Sequence, residues 1–504
     1  FGTNGNAFTD GIYVGGLSGG SNKAVRKATV EGGQIFNLIG GPSVDPNRKA
    51  YTLIYTTVKG GEVDFVFGGA GESATQGHRA LNIAGGTING AAFGGSNAKT
   101  GTSGDGTLQG NTIVYVGGNA VVGGTIRFKK TSTDVMYNEH PSSVFGAGNG
   151  NTSNNTIGTV YSSAVVIDGN AHVKGSVFGG GNYGGVGTTL EDDTESTIKI
   201  LGGTIDESVY AGGNNNGGGN SASNTCDMNI EMTGGTVGNI YGGSKVGGVV
   251  YGNSTINVIS GTVINDIYGG GEGGYASTSS RGTYVTGNIN VNIGKSLAAN
   301  VAKPVLNIGG SVYGGSAYGT VNGSTENGSA NTSLVTNVNV HYGNISKSVF
   351  GGGKGSSSLT PKVYGKVTVT VNDGNIGNVY GGNDAKGQPA GSDVVILNGG
   401  TIGDAFGGGN STGQNTTDIR LIGATVNRLF GGSNASGDVT TTNVSMTGGT
   451  VTDVYGGNNV GTSTDTTNVN ISGGTVSGDI YGGGLQAPVY SSTNLTINNM
   501  TVKN

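Results

Sequence analysis

The side chains that most often carry out chemistry in proteins are few in this sequence and lie far apart. Four histidines occur, at His78, His140, His172 and His341. None of them forms a short metal-ligand spacing with another histidine or with the single cysteine, Cys226. That cysteine cannot form a disulfide within the chain, and its alternating apolar surroundings indicate a packing role. We therefore predict no metal site and no cofactor.

Acidic residues offer no better candidate for catalysis. Polysaccharide hydrolases and lyases need carboxylates, or a carboxylate with a lysine or arginine, gathered on one face. The densest acidic run, residues 191–195, lies in an insertion between strand patterns and indicates a solvated loop. The one Gly-Lys-Ser, at residues 294–296, has Ile289 where a phosphate loop requires its first glycine. We predict that the chain is not an enzyme, with a polysaccharide-cleaving β-helix as the minor alternative.

Composition narrows the class of protein further. Of 504 residues, 107 are glycine and 7 are proline, and no collagen triplet runs through the chain. Charged residues make up 11% and the net charge is −5, which argues against nucleic acid as a partner. No apolar run reaches the roughly 18 residues that a membrane-spanning helix needs.

A repeat orders the glycines. A unit of the form GGT(I/V)xxx(V/I/A)(Y/F)GG has good copies at residues 85–95, 202–213, 234–243, 399–408, 448–457 and 473–483. Its aromatic position recurs at Phe67, Phe93, Phe145, Phe178, Tyr210, Tyr241, Tyr268, Tyr313, Phe350, Tyr380, Phe406, Phe430, Tyr455 and Tyr481. The last five steps are 30, 26, 24, 25 and 26 residues, and a period near 25 is typical of a solenoid.

Each repeat must contain short strands joined by glycine corners. Apolar and polar residues alternate before the GGT, as in residues 229–232, 443–446 and 468–471, which predicts half-buried strands. The glycine pairs allow sharp corners, because glycine enters positive φ without steric cost. Two or three strands per coil are both compatible with the pattern. Longer repeats carry insertions, such as residues 271–286 and 316–333, that we expect to be loops at one corner.

The predicted fold is therefore all-β: a single right-handed parallel β-solenoid of about 17 to 19 coils with a ~25-residue basic repeat. We expect residues 1–504 to form one continuous solenoid without an internal boundary, with degenerate repeats at residues 97–143.

The aromatic column has two interpretations. The rings either fill a corner of the core as a buried stack, or form an exposed stripe able to stack on sugar rings. Free exchange of Phe and Tyr argues against a required hydroxyl group.

The two ends of the chain suggest a further contact. The sequence starts at Phe1-Gly2 and stops within a unit, just before its aromatic residue. Either the segment belongs to a longer array, or one subunit continues into the next as a head-to-tail fibre. In the second case Phe1, Gly2, Met500 and Val502 would form the end-to-end interface.

With the motif GGT(I/V)xxx(V/I)(Y/F)GGG(N/S), the chain resembles the glycine-rich repeat regions of large bacterial surface proteins described as adhesin-like. This resemblance implies an extracellular or cell-surface β-solenoid and carries over no catalytic or ligand residue. We expect a structural scaffold or adhesin whose partners are other copies of itself, neighbouring coils, or glycans and cell surfaces. A carbohydrate-binding surface protein is the alternative.

Overall fold

Parallel strands are the regular element throughout the described part of the molecule. The structure, a computed structural model, describes residues 12–14, 25–41, 53–71, 74–98, 106–126, 142–150, 157–187, 194–214, 224–274, 282–324, 328–460 and 462–498. Within these ranges the regular elements are all strands, and the strand ladders are parallel. The predicted all-β parallel solenoid is thereby confirmed. The chain divides into two compact units, residues 1–252 and 253–504.

The described residues of the first unit form twenty strands, most of which stack coil upon coil. They are β1 Ile12–Tyr13, β2 Arg26–Val30, β3 Gln34–Ile39, β4 Ile54–Val58, β5 Glu62–Phe67, β6 Thr75–Gln76, β7 Arg79–Ile83, β8 Thr87–Phe93, β9 Leu108–Gln109, β10 Thr112–Val116, β11 Val121–Val122, β12 Val144–Phe145, β13 Ser163–Ile167, β14 His172–Val173, β15 Val177–Phe178, β16 Glu195–Ile200, β17 Thr204–Tyr210, β18 Asp227–Met232, β19 Thr236–Tyr241 and β20 Val249–Val250.

The second unit continues the same pattern with longer strands near its C-terminal side. Its strands are β21 Ser254–Val258, β22 Gly261–Val263, β23 Ile267–Tyr268, β24 Tyr284–Val285, β25 Ile289–Ile293, β26 Leu306–Ile308, β27 Val312–Tyr313, β28 Thr320–Val321, β29 Val335–Val340, β30 Asn344–Phe350, β31 Lys362–Val363, β32 Lys366–Val371, β33 Asn375–Tyr380, β34 Asp393–Leu397, β35 Thr401–Phe406, β36 Gln414–Leu421, β37 Thr425–Phe430, β38 Val439–Tyr455, β39 Thr464–Val476, β40 Ile480–Tyr481 and β41 Val489–Ile497.

One coil shows how the sequence pattern becomes structure. In β36, Ile419 and Leu421 are fully buried, whereas Asp418 and Arg420, which alternate with them, face outward. Ile419 pairs with Val395 in the coil on one side and with Val444 on the other. Identical positions therefore stack on each other from coil to coil, and each apolar side chain is covered by the equivalent side chain of its neighbours.

The glycine corners are required by close approach of neighbouring coils as well as by backbone angle. Gly400, the second glycine of a GGT, has φ +90°, which disfavours any other residue. Gly407 follows the aromatic Phe406, and a Cβ atom there would collide with the carbonyl oxygen of Gly431 in the next coil. The repeat thus keeps glycine for two different reasons at its two corners.

The insertions after the aromatic position are more ordered than the predicted loops. In the second unit, β24, β28 and β31 lie within insertions and pair in parallel as a short additional ladder. In the first unit β6 pairs with β9 in the same way. Short β-branched pairs such as Thr320–Val321 form these strands, and two residues are too few to indicate a strand within a Gly- and Ser-rich stretch.

Loss of the motif at residues 97–143 does not interrupt the ladders of the first unit. Within this segment, β10 pairs with β7 and with β13, and β11 pairs with β8 and β14. The apolar alternation of residues 112–116 is therefore sufficient to hold the register. Nothing in the described part of the chain forms an apolar helix of the length that a bilayer crossing requires.

Candidate functional site

The aromatic column is a stack of parallel rings in each unit. In the first unit the rings run from Phe67 to Tyr241 in contact order, with centroids 4.7 to 5.0 Å apart and ring planes within 7°. In the second unit they run from Tyr268 to Tyr481 at 4.6 to 4.9 Å and within 8°. The coil spacing imposes this geometry, because each ring projects from the same register position.

Both faces of a ring inside the stack are covered by its neighbours. Tyr241, Tyr268 and Tyr455 are 7%, 2% and 5% exposed, whereas Tyr481, the last ring of the column, is 44% exposed. A buried ring cannot stack on a sugar, so the column offers no aromatic platform along its length. The first unit extends the column with Ile39 and Tyr13, which pair in register ahead of Phe67 and which the motif did not reveal.

The tyrosine hydroxyl groups end at polar side chains along one edge of the stack. In the second unit the Tyr268 hydroxyl donates to Asp266, and Lys354 Nζ lies 2.9 Å from the same carboxylate. Burial opposes ionisation of Asp266, but these donors and the Ser311 backbone amide outweigh it and hold the pKa of Asp266 below its usual value. The Tyr313 hydroxyl donates to Asp384. These contacts fix the position of the rings, and they occupy the carboxylates with hydrogen bonds inside the protein.

Asparagine side chains form hydrogen-bonded ladders parallel to the stack. In the first unit the amide of Asn149 donates to Asn97, Asn182 donates to Asn149, and Asn214 donates to Asn182, at 2.9 to 3.0 Å. A second-unit ladder runs through Asn459, Asn434 and Asn410 and ends on the carboxylate of Asp384. An amide inside such a ladder is thus both donor and acceptor, as in amide stacks of cross-β structures.

A further column closes seven coils from the inside. In the strand before the first glycine corner, a buried hydroxyl donates to the carbonyl that follows the aromatic residue of the same coil. The pairs are Thr112 to Gly146, Ser163 to Gly179, Ser196 to Ala211, Ser254 to Gly269, Thr417 to Gly431, Thr442 to Gly456 and Thr467 to Gly482. We call this set the hydroxyl column; its distances are 2.6 to 3.1 Å.

Two buried asparagines stabilise the corner that follows the aromatic residue and its glycine pair. Asn383 accepts from the Gly353 amide and donates to the Lys386 carbonyl. Asn458 accepts from the Ser433 amide and donates to the carbonyls of Ser463 in its own corner and Gly437 in the preceding coil. Sequence reasoning missed this role. The signal was the GGN at residues 381–383 and 456–458, which is weak in a chain so rich in asparagine.

The histidines and the cysteine do not come together. His78 is exposed, His341 lies beside Asn372 and has its pKa lowered by burial, and His172 contacts Asp206 at 2.9 Å. Burial, followed by the nearby Asp227 and Glu195, raises the pKa of Cys226 to about 12, so its thiolate is disfavoured. Among the residues that the structure describes, no three His, Cys, Asp or Glu side chains are placed to hold a metal ion.

Other predicted positions lie outside the described residues. These are His140, residues 191–193 of the acidic run, and the predicted interface residues Phe1, Gly2, Met500 and Val502. Gly294 of the Gly-Lys-Ser has φ +73°, and a Cβ atom at this position would press against the ring of Tyr342. This glycine therefore serves as a corner.

The arrangement of the described residues can maintain shape and present a regular outer surface. It gathers ring stacks, amide ladders and the hydroxyl column inside or along the coils, and its most perturbed ionisable groups are buried. No family model, curated protein or solved structure matches the chain.

Proposed function

We propose that the chain is an extracellular structural scaffold, of the kind that supports adhesion at a cell surface. The observation that carries this proposal is the unbroken stack of buried aromatic rings within each unit. A stack of this kind contributes packing from coil to coil and accepts either Phe or Tyr, as expected where the position requires a flat ring and no particular chemical group.

The interior of each coil supports the same proposal. Ladder contacts are satisfied by the neighbouring coils, so removing one coil would uncover the next. A protein built this way resists local opening, because unfolding one coil exposes the apolar faces of two others. Resistance to opening is useful outside the cell, where proteases and shear act on a protein.

Limited proteolysis of the intact purified chain tests the scaffold. We expect large fragments that persist at protease concentrations that digest an ordinary globular control, with cleavage confined to insertions. The matched comparison is a chain with Phe406→Ser and Phe430→Ser, which places two hydroxyls in the ring stack and should release that region. Rapid and complete digestion of the unaltered chain would exclude a rigid scaffold.

A head-to-tail fibre is the polymerising form of this proposal. Parallel ladders pair backbone to backbone, and a further coil from another chain would extend them by the same contacts. Electron microscopy of the chain at several concentrations separates the forms. Continuous filaments with a repeat of about 4.8 Å across subunit junctions support the fibre, and particles whose length is independent of concentration oppose it.

Carbohydrate binding is the second candidate, favoured by one outer face of the second unit. Thr255, Asn290, Asn337 and Thr368 occupy one outward register column there, each on a successive coil. A parallel column holds Asn257, Asn292 and Asn339, joined by side-chain hydrogen bonds of 2.9 Å. Amide and hydroxyl groups at regular intervals suit hydrogen bonding to a polysaccharide.

Binding to insoluble polysaccharides and a glycan array would test this alternative. We expect retention that Asn290→Ala with Asn337→Ala weakens, whereas exchange of the exposed Asn470 to Ala on a more distant coil leaves it unchanged. Equal retention of all three proteins would show that this face is not the binding surface.

A further inference from the structure

One coil of the second unit carries a carboxylic acid at a position where the three coils after it carry a hydroxyl. Asp393 pairs in register with Thr417, which pairs with Thr442, and Thr442 pairs with Thr467. The three threonines belong to the hydroxyl column and donate to Gly431, Gly456 and Gly482. Asp393 therefore begins its strand at the position of a hydrogen-bond donor.

The local geometry around Asp393 repeats that around Thr417. A Cβ atom built on Gly407 would have the Gly431 carbonyl oxygen as its nearest neighbour, with Thr417 Cβ at 3.1 Å. A Cβ atom built on Gly381 would have the Gly407 carbonyl oxygen as its nearest neighbour, with Asp393 Cβ also at 3.1 Å. The Asp393 side chain thus starts from the same place relative to Gly407 as Thr417 does relative to Gly431.

The carboxyl group is placed where a negative charge would be poorly tolerated. Asp393 is 0% exposed, and neither of its carboxylate oxygens has a hydrogen-bond partner. Burial raises the pKa of Asp393 well above its ordinary value. The side-chain amide of the neighbouring Gln414 donates to the Gly391 carbonyl and leaves the carboxyl group unpaired. An ionised carboxylate here would be desolvated, and a carbonyl oxygen at hydrogen-bond distance would repel it.

The elements packed against Asp393 present uncharged groups to it. Val367 pairs with it from the preceding coil, and Thr417 from the following coil. A Cβ atom at Gly382 would lie 3.1 Å from Asp393 Oδ2, which places the glycine corner against the carboxyl group.

The charged residues next to these partners in sequence point away. Lys366, beside Val367, is exposed, and Asp418, beside Thr417, faces outward and pairs with Arg420. Asp384, one residue past the corner, accepts the hydroxyl of Tyr313 and the amide of Asn410. Neither a cation nor a second acid is thus positioned at the Asp393 carboxyl by these elements.

We propose that Asp393 is protonated in the folded chain and that its O–H donates to the Gly407 carbonyl, so that this coil loses stability as the pH rises. The acid takes over the task of the hydroxyl column and adds a dependence on pH that threonine lacks. The contribution of Asp393 to stability is then greater in a mildly acidic medium than in a neutral one.

The direction of the effect follows from proton linkage. Below the ordinary carboxyl pKa of 3.8, both the folded and the unfolded chain hold the proton, and the contribution to stability is complete. Between that value and the raised pKa of the folded state, only the folded chain holds it. Unfolding then releases one proton, and the unfolding constant rises about tenfold per pH unit.

Denaturant unfolding of the full chain from about pH 4 to about pH 7 tests the proposal. Asp393→Asn removes the ionisation and Asp393→Thr restores the hydroxyl donor. We expect the unfolding constant of the unaltered chain, divided by that of either variant, to increase with pH. Asp465→Asn, which alters an exposed acid of β39, is the control and should give a ratio that does not rise. A flat ratio for both Asp393 variants would overturn the proposal.

Infrared spectroscopy of the folded protein provides a second measurement that does not depend on unfolding. We expect a protonated-carboxyl band at neutral pH that shifts with ¹³C-labelled aspartate and disappears in Asp393→Asn. A spectrum in which the unaltered chain and Asp393→Asn are identical in this region would show that Asp393 is ionised.

Discussion

Asn434 occupies the middle of an amide ladder and shows what one side chain contributes. It donates to Asn410 at 2.9 Å and accepts from Asn459 at 2.7 Å. Replacing it with alanine leaves an acceptor and a donor unpaired on partly buried neighbours. We expect Asn434→Ala to lower the free energy of unfolding by about 1–3 kcal/mol in a denaturant titration.

The control for this ladder variant is Asn470→Ala, an exposed asparagine on the outer face. We expect that change to stay within about 0.5 kcal/mol of the unaltered protein. Equal effects of the two substitutions would mean that the ladder adds nothing beyond ordinary surface contacts.

Cys226 is the residue for which burial and reactivity are most directly linked. Its side chain is 5% exposed, and the pKa of its thiol is raised to about 12. Because the thiolate is the reactive form, we expect the native chain to react with a thiol reagent at mildly alkaline pH far more slowly than the denatured chain. Comparable rates in the two states would contradict the packing of β18 against its neighbours.

The ring of Phe406 is held by the aromatic stack and not by its own strand alone. It is 1% exposed and lies 4.9 Å from Tyr380 and 4.8 Å from Phe430. We expect Phe406→Ala to cost about 3–5 kcal/mol of unfolding free energy, through lost apolar contact and the cavity that remains.

Phe406→Tyr is the matched comparison, since tyrosine occupies the same column at Tyr380 and Tyr455. We expect this exchange to cost less than about 1.5 kcal/mol. Both variants can be measured by chemical unfolding, with near-ultraviolet circular dichroism reporting on the coupled rings. A large loss for Phe406→Tyr would show that the column discriminates against hydroxyl groups.

Strands and corners were predictable from sequence because they depend on local patterns. Alternation at residues 443–446 and glycine pairs before Thr450 suffice to indicate a strand and a corner. The hydroxyl column was not predictable in the same way, since Thr417 and Gly431 are joined across the coil interior. The same limit applies to the Asn383 corner and to the ladder of β24, β28 and β31. Their partners are defined by the register between coils.

Charge contributes little to the molecule as a whole. The chain has 25 basic and 30 acidic residues, and its ion pairs include exposed ones such as Lys59 with Glu31, at 58% and 77% side-chain exposure. Exposed pairs are worth about 0–1 kcal/mol each. The contacts that recur in every coil are uncharged.

We therefore expect the unfolding free energy to change by less than about 1 kcal/mol between low and moderately high sodium chloride at neutral pH. Chemical denaturation with urea, which adds no ions, is the suitable measurement. A steep loss of stability with salt would instead assign a major role to ion pairs such as Lys354 with Asp266.

For the molecule as a whole, the composition and the ~25-residue period were enough to predict a parallel solenoid. They were not enough to predict function, because the same coils can support many outer surfaces. Function in a solenoid depends on outward columns such as Asn257, Asn292 and Asn339. Sequence shows that these residues face out and does not show what they contact.

The amide ladders have a direction. Asn214 donates to Asn182, Asn434 donates to Asn410, and Asn468 donates to Asn443, so each coil offers hydrogens to the coil made before it. A coil that already exists therefore presents a finished row of acceptors to the next stretch of polypeptide. Folding that follows the order of synthesis or export can therefore use each completed coil as the template for the next one.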